Sequence, residues 1–155
     1  MIDPRRLGRY NRIYAQLQGL IEDKSPSLVA AMATICAVLH TKMSHHSWTG
    51  FYFAASDSEL HVGPYQGPVA CQELRDRGVC LHCVRTGKPV VVPDVEQFPG
   101  HIACDSRSKS EIVLPVMQGK QVVAVLDIDS HKLAQFDEDD VAPLLKILSL
   151  LQPYL

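Results

Sequence analysis

The sequence has no long hydrophobic run and no excess of charge of one sign. Its 155 residues carry 15 Lys and Arg against 17 Asp and Glu, which leaves a formal net charge of -2. A protein that grips a phosphate backbone usually presents a strongly basic face, so nucleic acid is not an expected partner. The chain starts without the apolar core of a signal peptide and nowhere has the apolar length of a membrane span. We expect a soluble, cytoplasmic protein with no membrane partner.

Cysteines are few and odd in number. The five cysteines are Cys36, Cys71, Cys80, Cys83 and Cys104. An odd total in a chain expected to be cytoplasmic argues against a disulfide scaffold. Four of the five lie between residues 71 and 104, so we expect these four to act together. Cys36 differs because it lies on the apolar face of a predicted helix, where a thiol usually packs as a small core residue.

Two helical patterns open the sequence and one closes it. Apolar residues recur at three- and four-residue steps over residues 7–21. A second stripe follows Ser25 and Pro26, which are the predicted N-cap and first helical residue. The acidic turn at residues 137–140 begins the final helix. No linker or repeat interrupts the pattern, so we predict a single domain over residues 1–155.

Between the helices the apolar period changes to two, which predicts β-strands. The predicted strands are residues 48–53, 60–62, 89–93, 111–117 and 121–129. Glycine and proline at positions 63 and 64 are expected to end the second strand, and a short helical turn over residues 80–86 precedes the third. Adjacent strands joined by hairpins form a mainly antiparallel sheet. The predicted fold class is therefore α/β (α+β), with the sheet covered by helices.

Two carboxylates follow the apolar run at residues 122–126. Alternation along a strand puts Asp127 and Asp129 on one face, about 6.5 to 7 Å apart along the chain, with Leu126 and Ile128 on the other face. Such a pair can cap the turn after a strand that emerges into solvent. It can also lie at a sheet end over a cavity, where it would hold an ammonium group or a metal ion.

A long segment without regular periodicity, residues 94–110, carries Cys104. A loop of this length inside a compact domain is usually functional. An accessible loop cysteine next to a cation or a helix start acquires the lowered pKa that a nucleophile requires. Glu111 follows at the start of the next predicted strand, close enough to return to the same pocket. A structural thiol and a surface carboxylate fit this spacing equally well.

The segment Cys80-Leu81-His82-Cys83 has the two-residue cysteine spacing found in zinc sites. A structural zinc site needs four ligands, and a second paired half is missing from the sequence, so zinc is a minor alternative. A thioredoxin-type motif is also disfavoured, because no strand of the expected parallel unit precedes it. Redox partnership among Cys71, Cys80, Cys83 and Cys104 remains open.

Trp48 is the only tryptophan and shares one face of a predicted strand with Tyr52. The two rings can form an aromatic wall with polar tips, which suits a ligand that carries a small apolar group next to a polar one. An ordinary aromatic core pair has the same pattern. The sequence alone leaves both interpretations open.

Short motifs form one ordered series over about residues 48–140. The series begins with Trp48-Thr49-Gly50-Phe51-Tyr52 and includes Gly78-Val79-Cys80. Its most specific parts are Phe98-Pro99-Gly100-His101-Ile102-Ala103-Cys104-Asp105 and Leu126-Asp127-Ile128-Asp129-Ser130. This series resembles the free methionine-(R)-sulfoxide reductase family, whose members are stand-alone GAF-domain enzymes.

The resemblance implies a GAF fold with an antiparallel sheet of about six strands, in a homodimer. It implies that Cys104 is the nucleophile and that Cys71 and Cys80 are the thiols able to resolve its oxidised form. The residues that it places around the substrate are Trp48, Tyr52, Glu111, Asp127 and Asp129.

The activity implied by the resemblance is thiol-dependent reduction of free L-methionine (R)-S-oxide to L-methionine. The reaction would pass through a cysteine sulfenic acid and an intramolecular disulfide, which a thioredoxin-like reductant reopens. No cofactor and no metal is expected. A non-catalytic, small-molecule-sensing GAF domain is the alternative.

The sequence departs from the family pattern near the resolving thiols. Leu81 follows Cys80 where the family usually has glycine, Cys83 is an additional thiol, and the stretch from Cys71 to Cys80 is one residue shorter. Glycine adopts backbone angles that leucine avoids, so the loop that carries Cys80 is expected to follow another path. Whether Cys71 or Cys80 resolves Cys104 stays open, with a slight preference for Cys71.

Overall fold

The structure, a computed structural model, describes residues 2–101 and 105–155. The strands are β1 (Trp48–Ala54), β2 (Glu59–Gln66), β3 (Glu73–Arg75), β4 (Val90–Val92), β5 (Ser110–Gln118) and β6 (Gln121–Ser130). The α-helices are α1 (Pro4–Ile21), α2 (Leu28–Lys42), α3 (Val79–Thr86) and α4 (Val141–Leu148). Short 3-10 segments cover Val95–Gln97, Glu138–Asp140 and Ser149–Tyr154. Among the described residues, no helix is both long and apolar enough to cross a membrane.

The strands form one sheet in the order β3-β2-β1-β6-β5-β4, and every neighbouring pair is antiparallel. This confirms the predicted α/β (α+β) class, and the six strands match the number implied by the resemblance. The periodicity alone missed β3, an edge strand of three residues in which Glu73 and Arg75 are exposed. A strand this short and charged shows no apolar alternation that a sequence pattern can detect.

The predicted N-cap of the second helix was wrong. Ser27, and not Ser25, caps α2, because the Ser27 hydroxyl accepts a hydrogen bond from the backbone N–H of Ala30 at 3.1 Å. An N-cap side chain must accept from an N–H two or three residues further on. The Ser25 hydroxyl instead donates to the carbonyl of Ser27 at 3.0 Å, so the helix begins at Leu28.

The prediction that Gly63 and Pro64 end the second strand was also wrong. β2 continues to Gln66, because its pairing with β1 contains a bulge: Gly50 lies opposite Tyr65, whereas Tyr52 lies opposite Val62. One extra residue on β2 is accommodated at this point. A bulge tolerates proline, which has no N–H to donate to a regular ladder.

The two faces of the sheet pack against different layers. Helices α1, α2 and α4 cover one face, and the central strand residues that point into this apolar core are Phe51, Ile112, Leu114, Leu126 and Ile128. Helix α3 packs on the opposite face, over a second cluster that includes Val113 and Val125. Because α3 has only eight residues, it covers this face incompletely and leaves room for a cavity.

Candidate active site

Three carboxyl groups converge on the face of the sheet next to α3. Glu111 on β5 lies directly opposite Asp129 on β6, and Asp127 is two residues from Asp129 on the same strand. Residues directly opposite in antiparallel strands point to the same face, with Cα atoms about 4.5 to 5.5 Å apart. Glu111 and Asp127 are buried and Asp129 is half-buried. The alternation predicted the shared face of the two aspartates, and the strand register adds Glu111 to them.

A cavity opens beside these carboxyl groups, between the sheet and α3. The predicted site residues among its lining are Trp48, Tyr52, Cys80, Glu111, Asp127 and Asp129. Cys71 is described but does not belong to this lining. Cys104, the predicted nucleophile, lies outside the residues that the structure describes.

Burial changes the titration of all three acids. It raises the pKa of Glu111 well above its usual range, and the charges of Asp127 and Asp129 raise it further. Burial, followed by the charge of Asp127, also raises the pKa of Asp129 well above its usual range. The pKa of Asp127 is raised by burial, but hydrogen bonds from Glu111 and Cys80 counter this shift. Asp127 is therefore the acid best able to stay ionised, and the other two tend to keep a proton.

The aromatic wall is built on β1. The ring of Trp48 stacks on Tyr52 with centroids 5.7 Å apart and on Tyr65 with centroids 5.2 Å apart. A Cβ atom at Gly50 would overlap both the Trp48 ring and Tyr65, so only glycine permits this packing.

The polar tips of the wall are not directed to a ligand. The indole N–H of Trp48 donates to the carbonyl of Pro68 at 3.1 Å, and the hydroxyl of Tyr52 donates to the carbonyl of Cys71 at 3.0 Å. The tips therefore hold the segment that carries Cys71 beside the cavity. Trp48 and Tyr52 both line the cavity, so the apolar parts of their rings that border it can contact a ligand.

The described cysteines differ in state and surroundings. Cys71 is disulfide-bonded, whereas Cys36, Cys80 and Cys83 are free and buried. Burial raises the pKa of Cys80 well above its usual range, and the charges of Asp127 and Glu111 add to the effect. Burial also raises the pKa of Cys83 and that of Cys36 to about 12.

One group of side chains has the chemistry to hold a metal ion at this site. The sulfur of Cys80 and carboxylate oxygens of Glu111 and Asp127 lie within 4.8 Å of one another. Cys83, the second cysteine of the possible zinc pair, is not a member of this group. Among the residues that the structure describes, the two cysteines therefore do not belong to one set of ligands.

Two basic residues of the cavity were not singled out from the sequence as site residues. Nε2 of His101 lies 3.7 Å from a carboxylate oxygen of Glu111, and burial lowers the pKa of this histidine. Its position three residues before Cys104, inside the most specific motif, was a usable signal. Arg77 also lines the cavity, directly before the Gly78-Val79-Cys80 motif.

Comparison with known proteins shows what this arrangement resembles. A family model described as GAF domain matches residues 25–151. GAF domain-containing protein A of Dictyostelium discoideum is 44% identical over 144 residues, which cover 92% of this chain and 90% of that protein. Free methionine-R-sulfoxide reductase of Escherichia coli is 38% identical over 130 residues, which cover 83% of this chain and 78% of that protein.

A solved structure extends the similarity to the whole fold. The X-ray structure of free methionine-R-sulfoxide reductase from Neisseria meningitidis, in complex with its substrate, superposes with a TM-score of 0.89 at 38% identity. The superposition covers 99% of this chain and 91% of that one. Fold and sequence similarity thus agree over nearly the full length, and the chain belongs to the free methionine-(R)-sulfoxide reductase family of GAF-domain oxidoreductases that act on sulfur.

Proposed function

We propose that this protein reduces free L-methionine (R)-S-oxide to L-methionine. The observation that carries the proposal is the cavity in which three carboxyl groups converge beside an aromatic wall. The substrate offers an ammonium group, a polar sulfoxide and an apolar methyl group. Carboxyl groups suit the first two, and an aromatic face suits the third. The similarity to a substrate-bound enzyme from Neisseria meningitidis supports the same assignment.

Asp127 is the proposed partner of the substrate ammonium. Its oxygen Oδ1 is buried and has no hydrogen-bond partner among the described residues. The hydrogen bonds from Glu111 and Cys80 favour its ionised form. A buried carboxylate with an unused acceptor gains most from a cationic ligand. Trp48 and Tyr52 would contact the methyl group, and Asp129 would complete the pocket next to the sulfoxide.

Glu111 is the proposed acid. Its pKa is raised well above the usual range, which favours the protonated carboxyl group that a general acid needs. In the proposed step the Cys104 thiolate attacks the sulfoxide sulfur while Glu111 protonates the sulfoxide oxygen. The sulfur–oxygen bond of the substrate then breaks as this oxygen moves to the Cys104 sulfur, and the bond between Cys104 and the substrate sulfur reopens. The products are methionine and a Cys104 sulfenic acid, so the cysteine is oxidised by two electrons and the sulfoxide is reduced by two.

Cys71 is the proposed resolving thiol. Cys80 is buried with a strongly raised pKa, so it stays a neutral thiol, whereas attack on a sulfenic acid is faster from a thiolate. Cys71 is disulfide-bonded, while the other described cysteines are free. Cys71 would displace the sulfenic oxygen as water and form a disulfide with Cys104. A thioredoxin-like dithiol would then reduce this disulfide by exchange.

The proposed order of the thiols predicts different losses in two variants. Cys71→Ser should give one turnover per protein and then stop at the sulfenic acid, because the resolving thiol is missing. Cys80→Ser should keep steady-state turnover, because a hydroxyl still donates a hydrogen bond to Asp127. Peptide mapping of wild-type protein oxidised by one equivalent of substrate checks the pairing, and a dominant Cys80–Cys104 bridge would overturn it.

The whole chain would act as one domain in a cytoplasmic homodimer. Residues 1–155 would form a single GAF domain, because α1, which lies before the matched residues 25–151, buries Tyr10 and Leu17 in the same core as α2 and α4. The enzyme would work in the cytoplasm, where dithiol reductants are kept reduced. It would be a homodimer, as the resemblance implies, which light scattering of the purified protein can check.

The proposed activity is tested with purified protein, dithiothreitol and each epimer of free methionine sulfoxide. We expect methionine to form from the (R) epimer, quantified by liquid chromatography, with little product from the (S) epimer. Chelator treatment is expected to leave the rate unchanged, because no step uses a metal. Binding of the sulfoxide without turnover would favour the sensing alternative. The absence of both binding and turnover would refute both hypotheses.

A further inference from the structure

Arg77 is the only arginine or lysine among the described residues that line the cavity. The three carboxyl groups come from the sheet, whereas Arg77 comes from the connection between β3 and α3. Asp105, which pairs with Arg107 and His131, also lines the cavity. The cavity therefore combines acidic side chains with one positively charged side chain from a different element. A ligand that fits such a cavity carries charges of both signs.

The backbone around Arg77 is held in an uncommon conformation. Asp76 has φ 67° and Gly78 has φ 113°, so Arg77 lies between two residues with positive φ. The N–H of Arg77 donates to the carbonyl of Arg75 at 2.8 Å, which closes a three-residue turn centred on Asp76. A turn of this type with a non-glycine residue at its centre is strained. The N–H of Asp76 donates to the carbonyl of Ser58 at 3.0 Å, which helps to hold it in place.

The stem of Arg77 packs against the segment that carries His101. A Cβ atom placed on Gly100 would lie 3.5 Å from both Cβ and Cδ of Arg77, so the aliphatic part of the side chain runs along the Gly100 backbone. His101, the next residue, lines the cavity. This packing guides the long side chain along the rim of the cavity.

The charge of Arg77 is not neutralised within the described part of the protein. No ion pair or side-chain hydrogen bond joins its guanidinium to any described residue. Arg75, two residues earlier, differs because it pairs with Glu59 at 3.3 Å and with Glu73 at 3.0 Å. One arginine of this short segment is thus used within the fold, and the other is available to a ligand.

We propose that Arg77 binds the α-carboxylate of the substrate and makes the site selective for a free amino acid, an inference that rests on the proposed function. A free amino acid is a zwitterion, so its ammonium can pair with Asp127 while its carboxylate pairs with the guanidinium. Arginine presents two parallel N–H donors that match a carboxylate. A methionine sulfoxide inside a peptide has no carboxylate at this position and loses the pair.

The test compares two substrates that differ only in this group. L-methionine (R)-sulfoxide and its carboxamide share the sulfoxide, the methyl group and, at a pH where the amine is protonated, the ammonium. We expect Arg77→Gln to lower kcat/KM for the free acid by roughly tenfold to hundredfold, mainly through KM. The kcat/KM for the amide should stay within about twofold of the wild type. For the free acid, the kcat/KM of Arg77→Lys should lie between those of the wild type and Arg77→Gln, because lysine keeps the positive charge but lacks the two parallel N–H donors.

Arg75→Gln is the matched control. This variant also removes one positive charge, at a position two residues before Arg77. The Arg75 side chain is paired within the fold and does not line the cavity. The variant should leave both substrates unchanged. Equal loss for acid and amide in Arg77→Gln would overturn the inference, since it would show that Arg77 acts on the reaction and not on the carboxylate. A wild type that reduces neither substrate would refute the proposed function itself, and with it the inference.

Discussion

The two faces of the central sheet are buried to a similar degree but by opposite chemistry. On the face covered by α1, α2 and α4, Ile112 and Leu114 are fully buried among apolar side chains. On the other face, their strand neighbour Glu111 is 5% exposed and lies beside a second acid. Burial of apolar groups stabilises the fold, whereas burial of carboxyl groups costs free energy unless they are protonated or paired.

The difference indicates how one sheet separates stability from chemistry. Alternation along β5 and β6 lets each strand contribute one set of residues to the core and the other to the cavity. The unpartnered oxygen of Asp127 and the burial that raises the pKa of Glu111 both lower the stability of the fold, while they provide the groups that the cavity needs for chemistry. Substitutions on the two faces should therefore act on different measurements.

The largest expected effect is on turnover, from the cavity face. Glu111→Gln removes the proposed proton donor but keeps the shape of the side chain. Loss of a general acid typically lowers kcat by about 10²- to 10⁴-fold. The fold should survive, because a neutral amide is easier to bury than a carboxylate. Turnover of the (R) epimer measures the loss, with Glu73→Gln on the exposed edge strand as a control that should change nothing.

The next effect is on stability, from the opposite face. Leu114→Ala leaves a cavity in the apolar core and should lower the free energy of unfolding by about 2 to 5 kcal/mol. Turnover per folded molecule should stay near the wild-type value at temperatures well below the melting transition. Urea denaturation and an activity assay on the same sample check both parts. A large loss of kcat without loss of stability would break the separation of the two faces.

A smaller effect should appear in the pH dependence of stability. The raised pKa of Glu111 means that the native state holds this proton more tightly than the unfolded chain does. The stabilisation is complete below the unfolded value of about 4.3 and is lost as the pH rises through the folded pKa. Glutamine does not titrate. The stability of Glu111→Gln relative to the wild type should therefore increase on going from acidic to neutral pH, by about 1.4 kcal/mol per unit of pKa difference.

Thermal unfolding of both proteins across that pH range tests this prediction. The catalytic rate of the wild type should change with pH in the same direction as its stability, because the protonated carboxyl group is the active form. The kcat of the wild type should fall as the pH rises through the raised pKa of Glu111. A constant stability difference from pH to pH would show that Glu111 titrates alike in the folded and unfolded states.

The smallest expected effect concerns the segment held by the aromatic wall. Tyr52→Phe removes the hydrogen bond to the carbonyl of Cys71 and keeps the ring. Such a bond contributes about 0.5 to 1.5 kcal/mol to stability. The first turnover should be nearly unchanged and disulfide formation slower, because Cys71 is held less firmly. Rapid-quench measurement of both steps separates them, and equal slowing of the two would assign Tyr52 to the substrate alone.

Local sequence patterns predicted much of the fold and part of the site. Strand alternation was sufficient to place Asp127 and Asp129 on one face, because the period of a strand is fixed by its geometry. It did not supply the register that sets Glu111 opposite Asp129, which depends on pairing with another strand. Arg77 was missed for a similar reason, since its position depends on a strained turn and on packing against Gly100, and neither leaves a periodic signal.

The most direct test of this account is whether Glu111 holds a proton at neutral pH. Difference infrared spectra of the wild type and Glu111→Gln isolate the carboxyl band of this one side chain. The account predicts the carbonyl stretch of a protonated carboxylic acid in the wild type and its loss in the variant. A carboxylate band at neutral pH, with no protonated-acid band, would contradict the account, because Glu111 would then have no proton to give to the sulfoxide oxygen.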